Sequence, residues 1–265
     1  MNILEKQMVD ILKDLRDNHH VISVKAEFEA EGTRIEEAMR LKEVSLRADL
    51  NLTIKIGGCE AVKDMFEATS LGTKYLVAPM VETAYALKKY MHAIKIAFTE
   101  EQQNDMQFLV NIETKAACDN FEEMLAIPEI AGLSGIVLGR VDLSGSLDLS
   151  REDINSSTIL ERCLITAQKA NAHGLDVVVG GGVSYHSLPF FKSFPPGHLN
   201  RFETRKIVFS CPEALANDER TFLKAIEFEL LWLKNKKNYY GTIHIEDDVR
   251  LTMLEKRYRS EIETI

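Results

Sequence analysis

The chain has 265 residues, of which 45% are hydrophobic and 28% charged, and its formal net charge is −9. This length is sufficient for one α/β barrel or two small domains, and no linker rich in Pro, Gly or Ser divides it. The negative charge argues against a nucleic-acid surface, and no apolar run approaches the roughly 20 residues needed to cross a bilayer. The four cysteines lack the spacing of a zinc site or a disulfide framework. We therefore expect a cytoplasmic protein that acts on a small molecule, with no nucleic-acid or membrane partner.

Apolar runs alternate with segments of helical periodicity along the whole chain. The predicted strands, in chain order, cover residues 21–25, 52–58, 74–82, 108–113, 135–139, 176–183 and 203–209, with 241–245 as a candidate eighth. The predicted helices cover residues 1–18, 33–48, 60–70, 83–97, 117–125, 157–172 and 219–233, and a charged helix ends the chain. This alternation predicts an α/β fold, a TIM (β/α)8 barrel or a close variant with extra terminal helices. We expect one domain over residues 1–265, with an N-terminal helix over 1–20, the barrel core over 21–210 and a helical extension over 211–265.

Two carboxylates follow buried strands at the point where each strand ends. Glu113 closes the apolar run that begins at Phe108, and Asp142 follows the run 136–138 after Gly139. Because the C-terminal ends of parallel barrel strands open onto one face, we expect Glu113 and Asp142 to converge although they are 29 positions apart. The spacing thus predicts a ligand site at this face.

Further candidates lie at the ends of other strands. Lys55 lies within an apolar run, where an ammonium is costly unless it meets an acid or an anionic ligand. Glu27 and Glu29 follow the first strand, and the glycines at 180–182 permit close approach of the backbone to a ligand.

Three motifs lie in these strand ends, and they are Ala78-Pro-Met-Val-Glu82, Asn111-Ile-Glu-Thr114 and Gly139-Arg-Val-Asp-Leu-Ser144. Together they resemble the class II (divalent-metal) pyruvate aldolases and the citrate lyase β subunit, which share the phosphoenolpyruvate/pyruvate barrel. The resemblance runs from about residue 21 to residue 209. It implies a carbon–carbon lyase of the aldolase type that acts on a 2-oxo acid or pyruvate-derived substrate through a metal-stabilised enolate.

The resemblance also implies roles for individual residues. Glu113 and Asp142 match the ligands of Mg²⁺, Mn²⁺ or another divalent cation. The substrate carboxylate and keto group would meet the following four residues, mainly through backbone amides: Asn111, Gly139, Arg140 and Val141. Lys55 matches the position of the family's electrophile. Glu29, with its neighbour Glu27, matches the position of the supporting acids.

This chain departs from the family pattern at several points. Ala30 stands where the aldolases have a His that acts as base, and Lys55 replaces an Arg, which supplies charge without the bidentate fork. The family's first barrel strand has no counterpart ahead of Val21, unless residues 241–245 supply it.

Two alternatives stay open at this point. A Schiff-base aldolase would use Lys55 as the nucleophile, and a non-catalytic barrel would bind a keto acid without turning it over. Family members assemble as trimers or hexamers, so we expect a homo-oligomer that associates through the terminal helices.

Overall fold

Eight strands form a closed barrel in the computed structural model, which describes residues 1–262. The strands are β1 Val21–Glu27, β2 Asn51–Lys55, β3 Tyr75–Ala78, β4 Gln107–Ile112, β5 Gly135–Gly139, β6 Asp176–Gly180, β7 Arg201–Glu203 and β8 Ile207–Ser210. They follow chain order around the barrel. The first seven strands run parallel to one another, and β8, which lies between β7 and β1, is antiparallel to both. The predicted TIM-type barrel with extra helices is confirmed in this variant form.

The helices surround this barrel and extend past it. They are α1 Ile3–His19, α2 Ile35–Arg47, α3 Val62–Ser70, α4 Ala84–Ala97, α5 Glu100–Asp105, α6 Lys115–Asp119, α7 Phe121–Leu125, α8 Arg140–Ser146, α9 Ser157–Ala172, α10 Leu188–Lys192 and α11 Glu219–Ile262. Short 3-10 turns cover Pro128–Gly132, Arg151–Asn155, Tyr185–Ser187 and Glu213–Ala216. Between the outer faces of the strands and these helices lies the main apolar core.

The segment 203–209, predicted as one strand, is a hairpin. Thr204 turns the chain, because its backbone N–H donates to the carbonyl of Ile207 at 2.9 Å and its hydroxyl accepts from the N–H of Ile207 at 3.1 Å. The turn brings Arg205 and Lys206 to the mouth of the barrel, and β8 then descends between β7 and β1 to close it.

The candidate eighth strand at 241–245 is wrong, since these residues continue helix α11. With 44 residues, α11 is about 66 Å long at 1.5 Å per residue. Its first part, predicted as a helix over 219–233, packs inward through Phe222 and Trp232, whereas Ile226 is 53% exposed. Residues 263–265 of the predicted C-terminal extension lie outside the described residues.

The barrel interior has an apolar wall and a polar wall. Strands β3 to β6 supply the apolar wall, a separate small cluster formed by Val77, Leu109, Val137 and Val178. Strands β1, β2 and β7 supply Lys25, Lys55 and Glu203 on the opposite side. Since barrel interiors are usually filled by branched apolar side chains, ion pairs in the upper half mark this end as the place for chemistry.

Candidate functional site

A cavity of about 500 Å³ opens at the C-terminal ends of the parallel strands. Every residue of the predicted site except one lines this cavity. Those that line it are Glu27, Glu29, Lys55, Asn111, Glu113, Gly139, Val141 and Asp142. The exception is Arg140, whose side chain lies outside the cavity.

Glu113 follows the end of β4 and is 2% exposed. Its Oε1 accepts from the backbone N–H of Met80 at 3.0 Å, and its Oε2 accepts from Asn111 Nδ2 at 2.7 Å. Met80 holds a left-handed backbone (φ 52°), a costly conformation for a non-glycine residue. The strained residue, Met80, is thus the one whose backbone amide fixes the position of the Glu113 carboxylate.

Burial raises the pKa of Glu113 above its ordinary value. The ammonium of Lys55 and the two hydrogen bonds oppose this effect, while the charge of Asp142 adds to it. Asp142 is exposed on the first turn of α8, directly after β5. The two carboxylates therefore face the same space and repel each other, as expected from the convergence of the strand ends.

These two carboxylates fit a hard divalent cation that keeps part of its water shell. Within the described part of the chain, no group of three or more His, Cys, Asp or Glu side chains forms a ready-made cage. Mg²⁺ does not need one, because it is commonly held by one or two carboxylates together with water and substrate oxygens. A cation between Glu113 and Asp142 would also offset their mutual repulsion, which adds to the effect of burial in raising the pKa of Glu113.

Lys55 lies beside the carboxylate pair at the end of β2. Its Nζ is 3.1 Å from Glu29 Oε2 and 3.8 Å from Glu113 Oε2. The apolar runs that lead to Glu113 and Asp142 themselves contain no Lys or Arg. Instead the fixed cation comes from the neighbouring strand, so Lys55 balances part of the charge of Glu113.

A second charge cluster lies across the cavity, and of its four members only Glu27 was predicted from the sequence. Lys25 Nζ contacts Glu203 Oε1 at 2.6 Å and Glu27 Oε1 at 3.0 Å, and Arg205 Nη1 lies 3.5 Å from Glu27 Oε2. Burial opposes the charge on Lys25, but the two glutamates raise its pKa above the ordinary lysine value. Burial likewise opposes ionisation of Glu27, yet Lys25 and the other cations lower its pKa. The opposite directions of these two shifts favour the ionised forms of both Lys25 and Glu27.

The signals for this cluster were present in the sequence. Lys25 lies inside a buried strand, which is the argument that selected Lys55, and Glu203 ends a strand in the same way as Glu113. Their pairing could not be read, because 178 positions separate them.

The side chain of Arg140 has a structural role. Its guanidinium donates to the carbonyls of Gly180 at 3.1 Å and Gly181 at 2.9 Å, and to Ser187 Oγ at 3.2 Å. Burial lowers its pKa to about 10. The side chain thus shapes the glycine loop and cannot neutralise Glu113 or Asp142; only its backbone amide, next to Gly181, could meet a ligand.

Comparison with known proteins places this site in a family. A model described as HpcH/HpaI aldolase/citrate lyase matches residues 34–182. The match covers more than half of the chain, including Glu113 and Asp142. The chain belongs to the HpcH/HpaI aldolase/citrate lyase family. Membership indicates a lyase of the aldolase kind, acting on a small molecule, and confirms the resemblance given by the three sequence motifs.

Solved structures agree on the fold. The citrate synthase SbnG is 14% identical with a TM-score of 0.60, over 89% of this chain and 91% of that one. An HpcH/HpaI aldolase from Desulfitobacterium hafniense DCB-2 is 13% identical with a TM-score of 0.58, over 72% and 79%. A family protein from Burkholderia cenocepacia J2315 is 14% identical with a TM-score of 0.56, over 72% and 89%.

No curated protein matches the sequence. Over the described residues, no helix has the length and apolarity required to span a bilayer.

Proposed function

We propose that the protein is a divalent-metal-dependent carbon–carbon lyase that cleaves or forms the bond beside the 2-oxo acid unit of a pyruvate-derived substrate. The observation that carries this proposal is the presence of Glu113, Asp142 and Lys55 around one cavity. Two carboxylates and a fixed ammonium suit a substrate with adjacent carboxylate and keto oxygens.

Glu113 and Asp142 would hold Mg²⁺, Mn²⁺ or another divalent cation. When bound, such an ion supplies Lewis acidity that draws electrons toward the substrate oxygens. Asn111 orients Glu113 through the 2.7 Å hydrogen bond, while its own Oδ1 is buried without a partner in the described structure. That free acceptor lies in the cavity lining, where a ligand or water can satisfy it.

Lys55 would act as the electrophile. Its ammonium is held 3.1 Å from Glu29, which fixes the charge near the position that a keto oxygen would take next to Glu113. A positive charge that is fixed in place before the reaction stabilises a growing oxyanion efficiently, because no reorganisation is needed during the reaction. The backbone amides of residues 139–142, at the start of α8, would hold the substrate carboxylate.

The two alternatives make different use of the same cavity. In a Schiff-base aldolase the Lys55 amine would attack the keto carbon, which requires the neutral amine rather than an ion-paired ammonium. The contact with Glu29 favours the electrophilic role. A non-catalytic keto-acid-binding barrel would use the same contacts without a catalytic base.

We infer that the protein is a cytoplasmic homo-oligomer, a trimer or hexamer. Helix α11 supports association, because it carries half-exposed apolar residues at heptad spacing, of which only Ile226 also lines the cavity. These residues are Leu223, Ile226, Leu230 and Leu233, each between 51% and 57% exposed. The four cysteines are free thiols, which suits a reducing compartment.

A melting experiment tests the proposed function. Millimolar Mg²⁺ or Mn²⁺ should raise the melting temperature, and pyruvate or its analogue oxalate should raise it further only when the ion is present. Exchange of the pyruvate methyl protons with deuterium, followed by NMR, then distinguishes a lyase from a binding protein. No melting shift with either ion would contradict metal dependence, and a shift without exchange would favour the binding barrel.

A further inference from the structure

Glu203 occupies a position in the cavity that none of the assigned roles uses. It ends β7, is 7% exposed and lines the cavity opposite the carboxylate pair. Its Oε1 accepts a 2.6 Å hydrogen bond from Lys25. In the described structure, Oε2 has no hydrogen-bond or ion-pair partner, so one half of the carboxylate is anchored and the other is available to a ligand.

We propose that Glu203 is the catalytic base of this site and that Lys25 is the residue that positions it. The inference rests on the proposed lyase function and supplies the proton-transfer group that the family's His would provide, since Ala30 lines the cavity at that place. Carboxylates are competent for this task when they lie within reach of the proton, directly or through one water.

The other carboxylates that line the cavity are either engaged elsewhere or not anchored. Asp142 is exposed and assigned to the cation, and Glu229 of α11 is half-buried with no hydrogen-bond or ion-pair partner in the described structure. Glu113 accepts bonds at both oxygens and faces Lys55. Glu29 holds Lys55. Glu27 has Lys25 at one oxygen and Arg205 at the other. Among the buried carboxylates of the cavity lining, Glu203 keeps one oxygen that has no partner among the described residues.

Backbone geometry also keeps space for this side chain. Gly180 ends β6 next to Glu203, and a Cβ at position 180 would lie 3.3 Å from both Cγ and Oε1 of the glutamate. Such contacts are tighter than most side chains tolerate. A glycine here therefore lets the Glu203 side chain lie against the strand end and point into the cavity.

The proton balance of the step is simple. In the cleavage direction, Glu203 Oε2 accepts the proton of the substrate hydroxyl as the carbon–carbon bond breaks, its electron pair passing to the pyruvate carbon while the hydroxyl carbon becomes a carbonyl. The carboxyl of Glu203 then gives the proton to the pyruvate carbon that received the electron pair, which completes the methyl group of pyruvate. No oxidant, reductant or further reactant is needed.

Deuterium exchange of pyruvate tests this role without knowledge of the other substrate. Glu203→Gln keeps the size of the side chain and an oxygen for Lys25 but removes the base. With Mg²⁺ or Mn²⁺ present, we expect exchange of the methyl protons to slow by about 10²-fold or more. The oxalate-dependent melting shift, which reports binding rather than proton transfer, should persist.

Glu31→Gln is the matched control. Glu31 belongs to the same mouth region, pairs with Lys206 and Arg205, and is not part of the cavity lining. This variant should exchange pyruvate protons at the wild-type rate, measured at a temperature where it is folded.

Each other outcome decides against the proposal. If Glu203→Gln exchanges as fast as the wild type, Glu203 is not the base, while the proposed lyase function stands. If the variant loses the oxalate shift together with exchange, Glu203 has a structural role. If the wild-type protein shows no exchange, the proposed function fails and this assignment fails with it.

Discussion

Gly139 and Glu113 lie so close together that a Cβ at position 139 would come within 2.6 Å of Glu113 Oε2 and 2.7 Å of its Cβ. Gly139 has φ −87°, which any residue can adopt, so the need for glycine is steric rather than conformational. The strand that delivers Asp142 thus leaves room for the carboxylate delivered by its neighbour.

Gly139→Ala should therefore displace Glu113 without straining its own backbone. We expect the Mg²⁺-dependent rise in melting temperature to fall sharply or disappear, because the carboxylate would lose its hydrogen bonds to Asn111 and Met80. Gly145→Ala is the control, since a Cβ there meets nothing within 4 Å. An unchanged metal response in Gly139→Ala would remove Glu113 from the metal site.

Asp142→Asn should abolish the melting shift with Mg²⁺ or Mn²⁺ and the exchange of pyruvate protons together. The apo protein should be equally or more stable, because the charge of Asp142, which adds to the effect of burial in raising the pKa of Glu113, is gone. At ion concentrations about 100 times the dissociation constant, the lost linkage corresponds to about 2.7 kcal/mol.

Asp148→Asn is a suitable control for this change. Asp148 is exposed and lies outside the cavity lining, and its left-handed backbone (φ 57°) is one that Asn also adopts. A metal response that survives in Asp142→Asn would show that Asp142 is not a ligand.

Much of the barrel could be predicted because most of the parallel strands are apolar runs that end in, or are followed within a few residues by, Gly or a charged residue. The hairpin escaped prediction because its turn, Thr204 to Lys206, contains no Gly, Pro or Asn to mark it. Residues 241–245 alternate in a way that fits a strand, yet the barrel is already closed by β8 and the segment stays in α11. Local pattern cannot show which strand completes a closed sheet.

The candidate site, like the barrel, could be predicted only in part. Glu113, Asp142 and Lys55 could be selected because each carries a charge at the end of a buried run, and they line one cavity. The direction of a side chain could not be predicted from the sequence. Arg140 lies two positions before Asp142, yet its side chain turns away to bind the carbonyls of the glycine loop. Contacts of this kind depend on tertiary packing.

Lys55→Ala should lower the rate of pyruvate exchange by about 10²-fold or more, by analogy with the loss of an oxyanion donor. Its effect on the melting temperature in the presence of Mg²⁺ should be small, because removal of the ammonium also removes its desolvation cost and the ion neutralises Glu113. Unchanged exchange would exclude Lys55 from the site.

Borohydride treatment with pyruvate separates the two roles of Lys55. We expect no covalent adduct by mass spectrometry and complete loss of exchange on chelation. An adduct at Lys55, with activity that survives the chelator, would instead establish the Schiff-base mechanism.

Replacement of Leu230 and Leu233 by Glu should disrupt association of the chains. Both side chains are half-exposed on α11 and lie outside the cavity lining, so the barrel should stay folded. Light scattering at micromolar concentration should give a trimer or hexamer for the wild type and a smaller species for the double variant. A monomeric wild type would contradict association through the terminal helices.

Acid should weaken the attachment of α11 to the rest of the protein. Glu37 of α2 is buried, and it accepts from Lys236 at 2.9 Å and from Tyr240 Oη at 2.5 Å. Burial opposes its ionisation, but Tyr240 and Lys236 outweigh that effect and lower its pKa below the ordinary value of 4.5. A carboxylate with a lowered pKa stabilises the folded state above the unfolded pKa, and this stabilisation is lost as the pH falls through the folded value.

The stability of Glu37→Gln should therefore depend less on pH than that of the wild type. At pH 7 the variant should melt at a lower temperature, because it lacks the ion pair with Lys236. The difference should stay constant down to about pH 5 and shrink below pH 4.5, where the wild-type carboxylate takes up its proton. Melting curves of both proteins from pH 7 to pH 3 measure this directly. A difference that is the same at every pH would mean that Glu37 contributes through packing alone, with no contribution from its charge.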